Sequence, residues 1–332
     1  MAKIITFGEI LLRLSPEGHK RLRQAERFCA VYGGAEANVA VSLCCFGMEA
    51  AHVTALPDNA VGQAAVDSLR RYGVDTSFIQ RQGDRVGIYY LEKGAARRPV
   101  QVLYDRAGSA MACARPGDFD WQRIFDGAQW FHFSGVTPAL GRGAAALCLE
   151  ACRAAKEAGC TVSCDLNYRS RLWTMEEAAR TMGALMPYVD VCIANREDDA
   201  DIFGITAQGD PVTCCQTIAR ELTHRFGFGQ VAMTMLDAPS ASENVWSAML
   251  YKNGEFYLSR EYATQVIERM GIGDSFAAGL IFALLEGQGP QAAIEFAVAA
   301  SCLKFTVEGD ANLVTADEAR RLARGGAGGV QR

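Results

Sequence analysis

The stretch Met270-Gly271-Ile272-Gly273-Asp274-Ser275-Phe276-Ala277-Ala278-Gly279 places two glycines directly before a strongly apolar segment that is predicted to be helical. Backbone N–H groups converge at the start of a helix and its dipole adds positive potential, so this stretch can hold an anion. Asp274 could accept the proton of an attacking hydroxyl while the N–H groups of Ile272, Gly273 and Asp274 stabilise negative charge on a phosphoryl group. An aspartate in the first turn is also common in helices without any chemistry. The stretch by itself therefore leaves helix capping and catalysis open.

A second glycine-rich stretch, Gly33-Gly34-Ala35-Glu36-Ala37-Asn38-Val39-Ala40, precedes another apolar helix that ends near Phe46. Paired glycines allow a backbone to approach a ligand closely, and Asn38 could bind a hydroxyl group. The alternative is a tight turn followed by an asparagine with no role in binding.

Between and around these stretches, short apolar runs alternate with longer segments of helical period. The predicted strands are Lys3–Phe7, Ala51–Ala55, Trp130–Phe133, Thr161–Asp165, Val189–Ala194 and Gln230–Met235. The predicted helices are Ala35–Phe46, Asn59–Arg71, Gly143–Glu157, Met175–Met186, Pro211–Arg225, Gly273–Leu285 and Pro290–Thr306. This alternation indicates an α/β fold with a mainly parallel sheet that is covered by helices on both faces. In such sheets ligands bind beyond the carboxyl ends of the strands, where the chemistry is expected.

Two segments, about residues 11–32 and 85–107, do not fit the alternation. They carry short alternating patterns such as Val86–Leu91 and Val100–Tyr104, with a basic loop between them. We interpret them as strands of a small lid that projects from the main sheet. With no long linker in sight, we expect one elaborated domain over residues 1–324, followed by a disordered glycine-rich tail at 325–332.

The composition of the 332 residues excludes several classes of protein. The formal net charge is −5, from 33 Lys and Arg against 38 Asp and Glu, so nucleic acid is not expected as a partner. No apolar run approaches the ~20 residues that cross a bilayer, so we expect no membrane partner. The 12 cysteines include adjacent pairs and no Cys-x-x-Cys spacing, which favours free thiols in a reducing cytoplasm.

The two glycine-rich stretches together resemble the paired signatures of the PfkB carbohydrate kinase family. The resemblance covers nearly the whole chain and implies the three-layer ribokinase-like fold with a small β-sheet lid over the sugar. It further implies phosphorylation of a sugar hydroxyl, with ATP and Mg²⁺ as cofactors. In that family the residues matching Gly271, Ile272 and Gly273 form the anion hole, and the one matching Asp274 is the general base.

Several further segments are similar to one subgroup of that family, the 2-keto-3-deoxygluconate kinases. They are Phe7-Gly8-Glu9, Arg13-Leu14-Ser15-Pro16, Tyr104-Asp105-Arg106, His132-Phe133-Ser134-Gly135, Asp165-Leu166-Asn167-Tyr168-Arg169 and Gly309-Asp310. A keto-deoxy sugar acid carries a carboxylate, which the planar fork of arginine recognises well, and Arg106 and Arg169 both follow predicted strands. The resemblance implies that the sugar acid contacts Gly34, Asn38, Tyr89, Tyr104, Arg106, Arg169 and Asp310. Strand alternation allows only one of Tyr89 and Tyr90 to face the sugar, and we favour Tyr89.

The nucleotide side matches the family less completely. The resemblance assigns Asn167, Asn195 and Thr234 to the nucleotide, together with Gly271 and Gly273. In Asn195-Arg196-Glu197-Asp198 the position that holds Mg²⁺ through water is Asp198, one methylene shorter than the usual glutamate, and Glu197 is an alternative. A glycine expected two residues after Thr234 is missing. Arg269 could contact the phosphates or be solvated. Lys304 and its neighbours on the last helix are expected to flank the adenine, with no individual contact assigned.

The function that these observations favour is transfer of the ATP γ-phosphoryl group to the 6-hydroxyl of 2-keto-3-deoxygluconate in the cytoplasm. Alternatives are a related kinase for fructose, ribose or 2-keto-3-deoxygalactonate, and a non-catalytic sugar or nucleotide sensor. A sensor would not need the base Asp274. Relatives often pair through the lid, which implies a homodimer or a larger homo-oligomer.

Overall fold

Strands and helices alternate along most of the chain, as the hydrophobic periodicity predicts. The computed structural model describes residues 3–195 and 201–326. Its strands are β1 Lys3–Phe7, β2 Leu11–Pro16, β3 Phe28–Gly33, β4 Glu49–Val53, β5 Ala55–Leu56, β6 Gln80–Arg81, β7 Ile88–Glu92, β8 Gln101–Asp105, β9 Ala128–Ser134, β10 Thr161–Asp165, β11 Val191–Asn195, β12 Gln230–Asp237, β13 Glu243–Lys252, β14 Glu255–Leu258 and β15 Tyr262–Gln265. Its helices are α1 Ala35–Cys45, α2 Ala60–Arg70, α3 Trp121–Phe125, α4 Arg142–Glu157, α5 Met175–Leu185, α6 Pro211–Phe226, α7 Ile272–Leu285, α8 Pro290–Lys304 and α9 Ala316–Ala323.

The main sheet is parallel through most of its width. Its order is β14-β13-β12-β11-β10-β9-β1-β4, with β15 also paired to β13. The strands from β12 to β4 run parallel, while β13, β14 and β15 add antiparallel pairings at one edge. The carboxyl ends of the parallel strands therefore meet along one side of the sheet, which is where this fold class binds ligands.

Helices cover both faces of the main sheet and bury two separate cores. Side chains of α1, α2, α7, α8 and α9 pack on one face, and those of α3, α4, α5 and α6 pack on the other. Helix α7 is buried almost all round, with Phe276, Leu280 and Ile281 fully enclosed. A helix without a polar face needs neighbours on every side, so the start of α7 is held rigidly beneath the cleft described below.

A second, four-stranded sheet stands apart from the main one. Its order is β3-β2-β7-β8, and its strands come from the two segments that break the sequence alternation. The pairs β2–β3 and β7–β8 are antiparallel, and β2 and β7 are parallel. Leu11, Tyr89 and Leu91 form a small apolar cluster on its inner face. This sheet is the lid that the sequence predicts.

Some elements differ from the sequence prediction. The predicted strand Ala51–Ala55 is divided into β4 and β5, and β5 pairs with β6 in a separate two-stranded sheet. The strands β13 to β15 were not predicted. β14 and β15 have only 4 residues each, whereas β13 is a 10-residue strand with a largely buried apolar run that the sequence prediction left unassigned. Helices α3 and α9 are too short, at 5 and 8 residues, to show a clear helical period.

Candidate active site

A cleft of about 500 Å³ lies between the carboxyl ends of the main-sheet strands and the inner face of the lid. Apart from Lys304, every predicted site residue in the described part of the chain lines this cleft. They are Gly34, Asn38, Tyr89, Tyr104, Arg106, Asn167, Arg169, Asn195, Thr234, Gly271, Ile272, Gly273, Asp274 and Asp310. The two metal candidates, Glu197 and Asp198, lie outside the described residues. The structure thus brings together residues from both halves of the chain.

Asp274 lies in the first turn of α7, at the floor of the cleft. Its Oδ2 accepts a hydrogen bond of 2.7 Å from Asn38 Nδ2. Burial raises the pKa of Asp274 to about 7, and the nearby charges of Glu36 and Asp310 act in the same direction. The Asn38 hydrogen bond and the charge of Arg169 favour the ionised form and oppose that rise in pKa. A carboxylate whose pKa lies near neutrality is suited to accept a proton from an alcohol.

Gly271 is the residue before α7, and its place admits no side chain. Its φ of +79° lies in the left-handed region, and a Cβ would be 1.9 Å from the backbone oxygen of Asp310. The N–H groups of the first turn of a helix have no partner within the helix. Beside Asp274 the start of α7 lines the cleft, and such a helix start is suited to hold an anion.

Gly34, at the start of α1, is required for a different reason. Its backbone is extended, but a Cβ would lie 2.0 Å from the backbone oxygen of Glu9. The close approach of α1 to the end of β1 brings Asn38 over Asp274. The double glycine is therefore needed for packing at the cleft, in addition to any contact with a ligand.

At the lid end of the cleft, the carboxylate of Asp310 is held by two donors. The Tyr89 hydroxyl and Arg13 Nη1 both donate hydrogen bonds to it, and Arg13 Nη2 donates to Glu268 Oε2 at 2.7 Å. Arg13 comes from lid strand β2, so this buried ion pair joins the lid to the loops beneath it. Tyr90 lies on the other face of the lid and packs against Phe28, with ring centroids 6.1 Å apart. Tyr89 is therefore the tyrosine that faces the cleft.

Arg106 is not a free arginine, as a simple substrate contact would be. Its Nε and Nη2 donate to Glu9 Oε2, and Ser109 donates to the other oxygen of the same carboxylate. The guanidinium lies over the ring of Tyr104, 5.4 Å from its centroid. Glu9 thus fixes the orientation of Arg106 and leaves its Nη1 for a ligand in the cleft. Arg169, in the loop after β10, is the second arginine of the lining.

At the other end of the cleft, a lid turn contacts the loop between β12 and β13. Ala241 N donates to Ala96 O at 2.8 Å, and Ala96 N donates to Ser242 Oγ at 3.1 Å. A Cβ on Gly94 would lie 2.9 Å from the Ala241 Cβ, so the two turns are in close contact. Arg269 Nη2 holds the same loop through Ser240 O, at 2.8 Å. The lid therefore reaches across the cleft to the end opposite Arg106.

A family model matches nearly the whole chain. The model of the pfkB family carbohydrate kinases matches residues 1–317. The chain belongs to this family. It is therefore a phosphotransferase that acts on an alcohol group, and the cleft that contains Asp274 is its candidate active site.

Similar proteins cover the whole length of this kinase. A 2-dehydro-3-deoxygalactonokinase of Haloferax volcanii is 35% identical over 331 residues, which are 100% of this chain and 99% of that protein. A crystal structure of 2-dehydro-3-deoxygluconokinase from Thermotoga maritima is 49% identical, with a TM-score of 0.95 over 97% of this chain and 98% of that one. A 2-dehydro-3-deoxygluconokinase of Thermoproteus tenax is 28% identical and covers 93% of this chain and 90% of its own. The ribokinase-like fold predicted from the sequence is confirmed. In the described part of the chain, no helix is both long and apolar enough to cross a membrane.

One expectation for the nucleotide contacts needs correction. Lys304 was expected near adenine, but its side chain is fully buried and its Nζ donates to the backbone oxygens of Val307 and Gly309. Arg269 is half-buried, lines the cleft and donates to Ser240 O and Asn244 Oδ1, and its contact with phosphates stays a prediction. The missing glycine after Thr234 also has an explanation, because β12 continues as a strand to Asp237 and needs no turn there.

Several residues of the site were given no role from the sequence, although they stand in the segments quoted above. Glu9 and Asp165 line the cleft, and Arg13 supports Asp310 from behind. Glu36 also lines it, and its Oε1 accepts hydrogen bonds from Ser134 and Thr137. Burial raises the pKa of Glu36 despite these hydrogen bonds. A glutamate inside an otherwise apolar helix start was a usable signal, because a buried carboxylate needs partners.

Proposed function

We propose that this kinase is a cytoplasmic enzyme that uses ATP to phosphorylate the 6-hydroxyl of 2-keto-3-deoxygluconate, also called 2-dehydro-3-deoxygluconate. The observation that carries the proposal is the juxtaposition of Asp274 and the start of α7 with a lid end that presents Arg106 and Tyr89. Arg169, in the loop after β10, lines the same cleft. One end of the cleft suits phosphoryl transfer to an alcohol, and the other suits an acceptor that is an acid.

The proposed reaction uses Asp274 as general base. Asp274 accepts the proton of the sugar hydroxyl as that oxygen attacks the γ-phosphorus of ATP, and the bond from phosphorus to the ADP oxygen breaks. The N–H groups of Ile272, Gly273 and Asp274 stabilise the negative charge on the transferred group. Asn38 orients the base, because its amide donates to the oxygen that it faces.

The acid end of the acceptor is proposed to meet arginine. Arg106 is fixed by Glu9, so its remaining nitrogen is presented to a ligand at little cost in side-chain entropy. A guanidinium and a carboxylate form a short, charge-assisted hydrogen bond, which a neutral sugar such as ribose or fructose cannot supply. The names of the relatives described above, all of them kinases of keto-deoxy sugar acids, support the same class of substrate.

ATP and Mg²⁺ are expected for this family, and the described residues fit the metal. Mg²⁺ usually keeps several waters and is held by one or two carboxylates together with substrate phosphates. Asp165 is suitable, since its Oδ2 lies 3.9 Å from where a Cβ of Gly273 would be, next to the anion site. The described residues hold no group of three or more His, Cys, Asp or Glu side chains that could bind a metal alone. Asp165, and the Asp198 predicted from the sequence, would hold the ion through water, and the ion would neutralise phosphate charge.

The second candidate is the epimeric acid, 2-keto-3-deoxygalactonate, because the Haloferax volcanii relative is named for it. The decisive experiment is an ADP-release assay against both keto-deoxy acids, gluconate, fructose and ribose, reported as kcat/KM. We expect one of the two keto-deoxy acids to exceed the neutral sugars by at least about 100-fold, because a neutral sugar cannot form the charge-assisted hydrogen bond to the remaining guanidinium nitrogen of Arg106. A preference for ribose or fructose would refute the substrate class. Absence of turnover with every sugar would favour the sensor.

We also propose a homodimer formed through the lid. The outer face of the lid carries apolar side chains, among them Leu103 and Phe28, which are 56% and 42% exposed. The strand register places Leu14, Tyr90 and Leu103 in one row on that face. Light scattering should give twice the chain mass for the native protein and a single chain mass for Leu103→Glu. A native monomer would refute this proposal.

A further inference from the structure

Lys304, the last residue of α8, is a lysine whose side chain is completely enclosed. Its Nζ donates hydrogen bonds of 2.9 Å to the backbone oxygens of both Val307 and Gly309. In the described part of the chain no carboxylate lies within ion-pair distance of this ammonium. Burial without a paired carboxylate is costly for a lysine, so its presence here calls for a reason.

The segment that Lys304 holds forms the support of the anion site. Residues 305–310 turn back beneath the start of α7, and the backbone oxygen of Asp310 packs against Gly271. Lys304 is itself adjacent, since its Cε is 3.5 Å from where a Cβ of Gly271 would lie. The N–H groups of Ile267 and Glu268 both donate to Phe305 O, at 2.9 and 3.1 Å. The loop that leads into Gly271 is therefore tied to the segment that the lysine fixes.

The charge of Lys304 also lies behind the anion site. Desolvation lowers its pKa to about 8, while the negative charges of Glu268, Asp310 and Asp274 act to raise it. At neutral pH most of the molecules therefore carry an ammonium there. A fixed positive charge close to the anion site stabilises negative charge that develops on the transferred group.

We propose that Lys304 is a positioning residue for phosphoryl transfer, whose ammonium holds residues 305–310 in the conformation that shapes the anion site at Gly271. This inference rests on the proposed catalytic roles of Asp274 and the start of α7, and it does not depend on which sugar is the acceptor. A lysine that only caps the end of α8 would stabilise the fold without affecting the chemical step.

Arg13 can be compared with Lys304, because both are buried cations that hold the same segment through different groups. It holds the carboxylate of Asp310 together with Tyr89, on the sugar side, whereas Lys304 holds backbone oxygens on the phosphoryl side. The carboxylate of Asp310 thus has supports that do not involve Lys304. Loss of Lys304 should lower kcat, and loss of Arg13 should first raise the KM for the sugar.

The test compares Lys304→Met, which removes the charge and the donors, with Lys304→Gln, which retains N–H donors. We expect Lys304→Met to lower kcat at least about tenfold, since small misplacements at a reacting centre have large effects on rate. The KM for the sugar should stay within about threefold, and Lys304→Gln should be intermediate. The matched control is Lys156→Met in the last turn of α4, a lysine that does not line the cleft, and its kcat should equal that of the native enzyme.

The result that would overturn the proposal is a folded Lys304→Met enzyme with kcat within about twofold of the native value. Equal changes in kcat and sugar KM would also overturn it, because they would indicate general disruption. If Lys304→Met fails to fold, Lys304→Gln decides, and native kcat in that variant counts against the proposal. Asp274→Asn distinguishes a failure of the proposed mechanism from a failure of the role proposed for Lys304. Retained activity in that variant would refute the proposed mechanism, whereas its inactivity with full activity in Lys304→Met would refute only the role of Lys304.

Discussion

Asn38 Nδ2 donates a hydrogen bond of 2.7 Å to Asp274 Oδ2, although the two residues are 236 positions apart in the chain. The contact joins the first turns of α1 and α7, which follow the two glycine-rich stretches. It also gives the amide a direct influence on the base, because a hydrogen bond to a carboxylate favours its ionised form.

The pH dependence of the enzyme should report this pair. The pKa of Asp274 is raised to about 7, so below that pH the base is increasingly protonated and inactive. We expect log kcat/KM to rise with unit slope up to about pH 7 and to level above it. In Asn38→Ala the rising part of the pH profile should shift to higher pH by about 0.5 to 1 unit, because one hydrogen bond to the ionised form of Asp274 is lost. A shift to lower pH, or no shift, would contradict the assignment of this profile to Asp274.

Replacement of the base should abolish most turnover without unfolding the protein. Asp274→Asn retains the shape of the side chain and removes its ability to accept a proton. We expect kcat to fall at least about 100-fold, in the range found for proton-transfer groups. Binding of the sugar acid, measured by calorimetry, should change little. Turnover close to the native rate would remove Asp274 from the mechanism.

Recognition of the acid should depend on the guanidinium of Arg106, which Glu9 orients. Arg106→Gln should raise the KM for the sugar acid by about 10- to 100-fold, because a charge-assisted hydrogen bond is lost, and leave the KM for ATP within about twofold. The control is Glu9→Gln, whose amide oxygen can still accept from the guanidinium and whose effect should be below about fivefold. Equal increases in both KM values for Arg106→Gln would contradict carboxylate recognition.

The stability of the fold should fall in mild acid because two histidines are buried. His52 and His132 are enclosed in the sheet, and burial lowers the pKa of each to about 3. A histidine that is neutral when folded takes up a proton on unfolding below about pH 6.5, so stability declines from there toward pH 3. Between pH 7 and pH 5 each contributes about 2 kcal/mol to this decline in the free energy of unfolding.

Urea unfolding of His132→Gln at pH 7 and pH 5 measures that contribution. The decrease in the free energy of unfolding from pH 7 to pH 5 should be about 2 kcal/mol smaller in His132→Gln than in the native protein. The exposed His19 provides the control, and His19→Gln should retain the native pH difference. An unchanged difference in His132→Gln would mean that the buried ring is already protonated in the folded protein.

Most of the fold and the centre of the site could be predicted from local sequence patterns. The strand Thr161–Asp165 is predicted to the residue, and the helices α1 and α7 are predicted within one residue at each end. Gly34 and Gly271 could be recognised because a close approach of backbones or a left-handed backbone conformation requires glycine at that position. Tyr89 was separable from Tyr90 by strand parity alone.

The partners of these residues could not be predicted, because they come from distant parts of the chain. Arg106 was predicted as a contact of the sugar acid, but its ion pair with Glu9, 97 residues earlier, was not predicted. Arg13 and Asp310 are 297 residues apart, and no local pattern pairs them. Lys304 was misplaced because the end of a helix gives no indication of which loop returns beneath it.

The contact between the turn at Gly94 and Ala96 and the loop at Ala241 and Ser242 sets a limit on how new specificity can arise in this fold. A lid exchanged from a relative would bring a turn that no longer matches that loop, and the Gly94 position has no room for a side chain. The two segments must change together, so the transplantable unit is the lid with residues 238–242. A new lid turn is therefore compatible with this fold only together with a matching loop between β12 and β13.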